Sequence, residues 1–186
     1  MIEARLNQIG IPLLAALPFD RTLSFPLIST INKSIKGKVL LNSHRLDNQV
    51  EEILAGSSLE IDEFTYFQNM LLITNQNNFK LAIEEIEQHA KERGLDTAPL
   101  SGVILTSGSK LDEELFNHPY LVKNEIPVLT TIMDTYDTVV AISSIDVKIN
   151  TKTPWKIEKA IELIQENLNV EALITMYRKF YLIDLF

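Results

Sequence analysis

The sequence predicts an α/β fold: a mostly parallel sheet flanked by helices on both faces. Three observations carry this expectation. Short apolar runs alternate with segments of helical period from about residue 50 to 145. In the run 100–109 a short apolar strand passes straight into the small hydroxyl and glycine residues Thr106, Ser107, Gly108 and Ser109, which is how an α/β protein opens a pocket at the carboxyl end of a strand. The right-handed crossover rule then places such strand-to-helix turns on one rim of the sheet.

The elements follow in order. Residues 11–17 form a candidate strand, ended by Pro18 and the polar pair Asp20-Arg21. Pro26 starts a short helix through Leu27, Ile28 and Ile31 that ends near Gly37. Residues 39–41 and 50–55 are further short strands, with a weak boundary between Lys36 and Asp47. Ser57-x-x-Glu60 has a capping-box pattern and opens a helix carrying Leu59 and Phe64. Residues 70–74 read as a buried strand. After the polar turn 75–78, Phe79, Ala82, Ile83, Ile86 and Ala90 repeat at helical spacing until Gly94. Residues 103–106 form the next strand, and Ser109 with Asp112 caps a helix bearing Leu115 and Phe116. Residues 126–130 are another strand. Asp134 and Asp137 open a helix containing Val139, Val140 and Ile142. Thr153-Pro154 starts the last strong helix, with Ile157, Ala160, Ile161, Ile164 and Leu168 on one side.

Composition narrows the function classes. There are 186 residues, which suits one domain or one domain with a short extra piece. With 17 Lys and Arg against 25 Asp and Glu, the formal charge of -8 disfavours nucleic acid and anionic membranes as partners. Cysteine is absent, which excludes disulfides, thiolate catalysis and Cys-based zinc or iron–sulfur sites. There is no basic-then-apolar leader and no apolar run of membrane-spanning length, so a cytoplasmic location is expected.

Three turns are candidate binding sites. Thr106, Ser107, Gly108 and Ser109 can hold an anion through consecutive backbone N–H groups at a helix start, with the hydroxyls as added donors; the same residues also make an ordinary capped loop. Asn75, Gln76 and Asn77, with Asn78, follow a strand and precede a helix, and serve equally as ligand-binding amides or as turn and cap residues. Asp134, Thr135, Asp137 and Thr138 form the third turn. Its two carboxylates suit magnesium or acid–base work, and equally suit capping a helix. Tyr136 either stacks on a ring or packs beneath the rim. His44, His89 and His118 have no metal-ligand spacing and read as structural or solvated. No catalytic residue, metal ligand or required cofactor is assigned. The apolar tail offers Tyr177, Phe180, Tyr181, Leu182 and Phe186 either to a second copy or partner domain, or to the parent fold.

The order of motifs resembles the DRTGG domain in the amino-terminal half of long-form phosphate acetyltransferases. Residues 11–23, IPLLAALPFDRTL, resemble the last strand and exit of the dethiobiotin-synthetase-like P-loop domain that precedes such domains. Residues 55–59, AGSSL, resemble the family's strand-to-helix turn, and 105–108, LTSG, occupy the place of its threonine–glycine–glycine segment. Residues 126–129 and 134–138 resemble its final strand and following loop. The chain departs from the pattern where Gln76-Asn77 stand in place of an aspartate–arginine pair and Ser107 in place of a glycine. The resemblance implies a Rossmann-like three-layer domain at 37–150. It would be preceded by a P-loop-domain remnant or linker at 1–36 and followed by a C-terminal helix and apolar tail at 151–186. It also implies a non-catalytic regulatory, metabolite-sensing or oligomerisation role with a small anionic metabolite as ligand. The alternative is a small nucleotide- or phosphometabolite-binding enzyme using the 106–109 and 134–138 turns.

Overall fold

Strands buried on both faces should read as continuous apolar runs. Residues 70–73 and 103–105 do so, and every residue of the strands that hold them, 70–74 and 100–105, is buried in the computed structural model, the second strand starting three residues before the expected 103–106. The structure describes residues 2–56, 68–109 and 117–181. In chain order its elements are α1 (Ile2–Gln8), α2 (Ile28–Ser34), β1 (Lys38–Leu41), β2 (Glu52–Ala55), β3 (Met70–Thr74), α3 (Gln76–Glu92), β4 (Leu100–Leu105), α4 (Pro119–Lys123), β5 (Val128–Thr130), α5 (Thr135–Ser143), α6 (Pro154–Asn167) and α7 (Val170–Tyr181). The helices expected after Ser57 and after Ser109 lie outside the described residues.

Residues 25–147 form one unit around a sheet of order β1-β5-β4-β3-β2. β2 to β5 are parallel, with Ile53 opposite Leu71, Leu72 opposite Val103 and Ile104 opposite Leu129. β1 is the exception, running antiparallel on β5 with Lys38 opposite Thr130 and a register slip before Leu41. The mostly parallel sheet is thus as expected.

The period-2 alternation of a strand sends neighbouring side chains to opposite faces. Met70 and Leu72 of β3, with Val103 and Leu105 of β4, meet Phe79, Ile83 and Ile86 of α3 and Leu121 of α4. Leu71, Ile73, Ile104 and Leu129 meet Ile28 and Ile31 of α2 and Ile142 of α5. The result is three layers, with α3 and α4 on one face and α2 and α5 on the other. Gly102 permits the close approach of α2, because a Cβ there would lie 2.8 Å from Cδ1 of Ile28. α3 stops where the pattern indicated: Gly94 is left-handed (φ +64°) and the next N–H, of Leu95, returns to the Ala90 carbonyl at 3.0 Å. The described helices that follow β3 and β4, α3 and α4, pack on one face, whereas α5, which follows β5, packs on the other. Adjacent strands β4 and β5 are therefore followed by described helices on opposite faces of the sheet.

Residues 1–24 and 148–186 form the second unit. Here two expectations are corrected. Residues 11–17 are not a strand; they make a single bridge, Ala15 to Leu168, and Ile11 and Leu17 are exposed. Pro12 and Pro18 offer no N–H to a ladder, and an apolar run without a neighbouring strand to pair with stays irregular. On α6 the predicted stripe is not the buried one. Ile157, Ile161 and Ile164 are 39%, 49% and 45% exposed, while Lys156 and Leu163 are buried. Helical period places residues on a common side but does not say what covers that side. The Lys156 ammonium donates to the Leu23 carbonyl at 2.8 Å, and burial lowers its pKa below the ordinary lysine value. Asp20 accepts from the hydroxyl and N–H of Thr22 at 2.6 and 2.9 Å, which with Lys159 at 3.5 Å lowers its pKa.

Tyr177 of α7 is exposed. The side chains of Phe180 and Tyr181, and all of Leu182 and Phe186, lie outside the described residues. No described helix is long and apolar enough to cross a membrane.

Candidate ligand-binding cleft

The turns that leave β3, β4 and β5 share the carboxyl edge of the sheet, because parallel neighbours in register end together. Two of them enclose an open cleft of about 640 Å³, lined by Asn75, Gln76 and Asn77 on one side and Ser107, Gly108 and Ser109 on the other. None of these six residues carries a charge.

Each lining residue is placed by local chemistry. Asn75 is the N-cap of α3, and its Oδ1 accepts from the Asn78 N–H at 3.1 Å. Gln76 and Asn77 then occupy the first helical turn with exposed side chains. Across the cleft, Ser107 and Gly108 are consecutive left-handed residues (φ 59° and 66°). That conformation suits Gly108 and strains Ser107 by about 1 kcal/mol or more. It turns the chain so that Ser107 N–H donates to the Met133 carbonyl and Gly108 N–H to the Thr131 carbonyl, both at 2.7 Å. Ser109 N–H and hydroxyl both return to the Thr106 carbonyl, at 3.2 and 2.6 Å.

These bonds correct the idea of a backbone anion cradle at 106–109. Three of the N–H groups it requires already donate to protein carbonyls, and Thr106 N–H donates to Thr74. Thr106 is itself buried. Its hydroxyl bonds the Thr74 carbonyl and the Thr135 hydroxyl, each at 3.3 Å, so it ties β3, β4 and the β5 turn together below the cleft.

The third candidate turn is joined to the second but does not line the cleft. Asp134 is the N-cap of α5, its Oδ1 accepting from the Asp137 N–H at 2.8 Å. Thr138 is buried, with its hydroxyl donating to the Asp134 carbonyl at 2.6 Å. Asp137 is exposed in the first turn of α5. Among the described residues, no group of three or more His, Asp or Glu is arranged to hold a metal ion. Of the eleven residues proposed from sequence, six line the cleft, Thr106 and Thr135 brace it, and Asp134, Asp137 and Thr138 build α5. Sequence reasoning missed the carbonyls of Thr131 and Met133, which shape the β4 turn; main-chain atoms leave no signature in residue type. Beside them, Ile132 and Tyr136 are 89% and 75% exposed, so Tyr136 does not pack beneath the rim.

The family model of the DRTGG domain matches residues 30–145. Among solved structures, the chain is similar to the CBS and DRTGG domains of the regulatory region of Clostridium perfringens pyrophosphatase, complexed with its activator diadenosine tetraphosphate. Identity is 17% and the TM-score 0.44, over 76% of this chain and 54% of that one; the chain therefore spans about half the length of that protein's structure.

Proposed function

Because the chain belongs to the DRTGG domain family, matched over residues 30–145, we propose that it is a regulatory module that binds a nucleotide or phosphorylated metabolite in the cleft between α3 and the β4 turn. The observation that carries this is the cleft itself: two turns from adjacent parallel strands face each other across an open space at the carboxyl edge, where α/β sheets bind ligands. The side-chain amides of Gln76 and Asn77 and the hydroxyl of Ser107 supply neutral donors and acceptors. The start of α3, with no acidic residue in its first turn, adds partial positive charge.

The link to phosphate acetyltransferase rests on the sequence resemblance of residues 55–59, 105–108, 126–129 and 134–138, and a role in acetyl-phosphate or acetyl-CoA metabolism is proposed on that basis. The division at residues 36 and 150, with a P-loop-domain remnant first, belongs to the same proposal, although α2 packs into the sheet unit of residues 25–147 and the family match begins at residue 30.

The test is titration calorimetry of the chain with ATP, AMP, acetyl phosphate, acetyl-CoA and inorganic phosphate. Saturable binding of at least one is expected, weakened in Gln76→Ala and Asn77→Ala. Both residues are exposed, so both variants should keep their melting temperature. No saturable heat with any of these compounds overturns the reading.

A further inference from the structure

Resting on that cleft reading, we infer that the ligand carries a planar ring, as a nucleoside does, which lies against Tyr136 and Ile132 while its polar remainder reaches Gln76 and Asn77.

Scattered apolar side chains on a surface are ordinary. This pair is set apart by position. Ile132 lies between Thr131 and Met133, whose carbonyls receive the N–H groups of Gly108 and Ser107. Tyr136 follows Thr135, whose hydroxyl meets that of Thr106. Each is thus one residue from a group bonded to the β4 turn. The rest of that turn is accounted for: Asp134 caps α5, Thr138 faces its own helix and Met133 packs toward the core. Ile132 and Tyr136 alone carry large apolar groups outward from it, at 89% and 75% exposure.

The topology supports the same location. The described helix after β4, α4, packs on the same face as α3, and the helix after β5, α5, packs on the opposite face. The carboxyl ends of β4 and β5 are therefore a switch point, the place where open α/β sheets take ligands. The chemistry on either side differs in kind. Across the 107–108 turn, Gln76 and Asn77 present amides that pair donor and acceptor, suited to the edge of a base or a ribose. Tyr136 and Ile132 offer a π-face and an aliphatic surface, suited to the flat side of a ring. A ligand that satisfies both has a ring and a polar arm. A bare phosphate or acetyl phosphate satisfies only one.

The experiment compares adenosine, AMP, ribose 5-phosphate and inorganic phosphate by titration calorimetry against the wild-type chain, Tyr136→Ala, Tyr136→Phe, Ile132→Ser and Gln76→Ala. Adenosine or AMP should bind at least about tenfold more tightly than ribose 5-phosphate. Tyr136→Ala and Ile132→Ser should remove most of that advantage, Tyr136→Phe should retain it, and Gln76→Ala should weaken every compound that binds. Unchanged melting temperatures would establish that the exposed-site variants fold. Equal affinity for AMP and ribose 5-phosphate, or no effect of Tyr136→Ala, overturns the ring site and leaves the cleft reading standing. Absence of binding by all four probes overturns the ring site, and with the broader panel above also overturns the cleft. If Tyr136→Ala instead abolishes a concentration-dependent dimer seen by light scattering and leaves ligand affinity intact, the pair is a self-association surface and the ring site is refuted.

Discussion

Asp134 can be asked directly whether its carboxylate serves the fold or a reaction. In the structure its Oδ1 lies 2.8 Å from the Asp137 N–H, one of the donors that α5 cannot satisfy internally. Asp134→Ala removes that acceptor, which costs about 1 kcal/mol, and removes a negative charge from the positive end of the helix, about 0.5 kcal/mol more at an exposed position. The Thr138 hydroxyl bonds the Asp134 main-chain carbonyl, so that contact survives the substitution. The expected loss is about 1.5 kcal/mol, a fall in melting temperature of roughly 5 °C for a unit of this size. Asp134→Asn keeps an acceptor of the same shape and loses only the charge, so its loss should be about a third as large. Urea denaturation followed by circular dichroism reads both, and ligand affinity should be unchanged because Asp134 does not line the cleft. The capping account fails if Asp134→Ala is as stable as wild type, or if the Asn variant is as damaging as the Ala variant. The second result would mean that the charge itself is needed, as for a metal ligand or a general base.

Phe79 is fully buried in the second turn of α3, between the sheet and the cleft-lining first turn. Phe79→Ala should destabilise the chain by about 3–5 kcal/mol in urea titrations, and Phe79→Leu by clearly less; a loss under about 1 kcal/mol for the Ala variant would refute the packing described. Burial, reinforced by the negative charge of Glu87, pushes the Tyr120 hydroxyl up to about 12. The unfolded chain titrates near 10. The stabilising difference is therefore fully present below pH 10 and is lost as pH rises to 12. Tyr120→Phe should flatten the loss in that window. It should cost little at pH 7, because the Tyr120 hydroxyl is buried and has no hydrogen-bond partner among the described residues. Identical alkaline stability profiles for the two proteins would count against this account.

Much of the fold is written in local spacing. The apolar runs of β3 and β4, the helical period of α3 with its stop at Gly94, and the caps Asn75 and Asp134 are all patterns within a few residues. The forces behind them act between near neighbours in the chain. The antiparallel direction of β1 is different, because it depends on which edge strand the segment meets. Residues 11–17 failed as a strand for the same reason: strand propensity is realised only when a partner lies alongside. On α6 the isoleucine stripe was legible, but Lys156 and Leu163 are the residues that are covered.

The candidate site divides along the same line. Residue types alone determined that three polar turns would follow strands and that the 75–77 and 106–109 turns would be uncharged. Only the tertiary structure decided which of their groups still face solvent. Hydrogen bonds from Ser107 and Gly108 to main-chain carbonyls of the β5 turn consumed the N–H groups that looked available for an anion. A backbone donor has the same appearance in sequence whether it points at water, at a ligand or at a distant carbonyl, and the chain must fold before that direction exists.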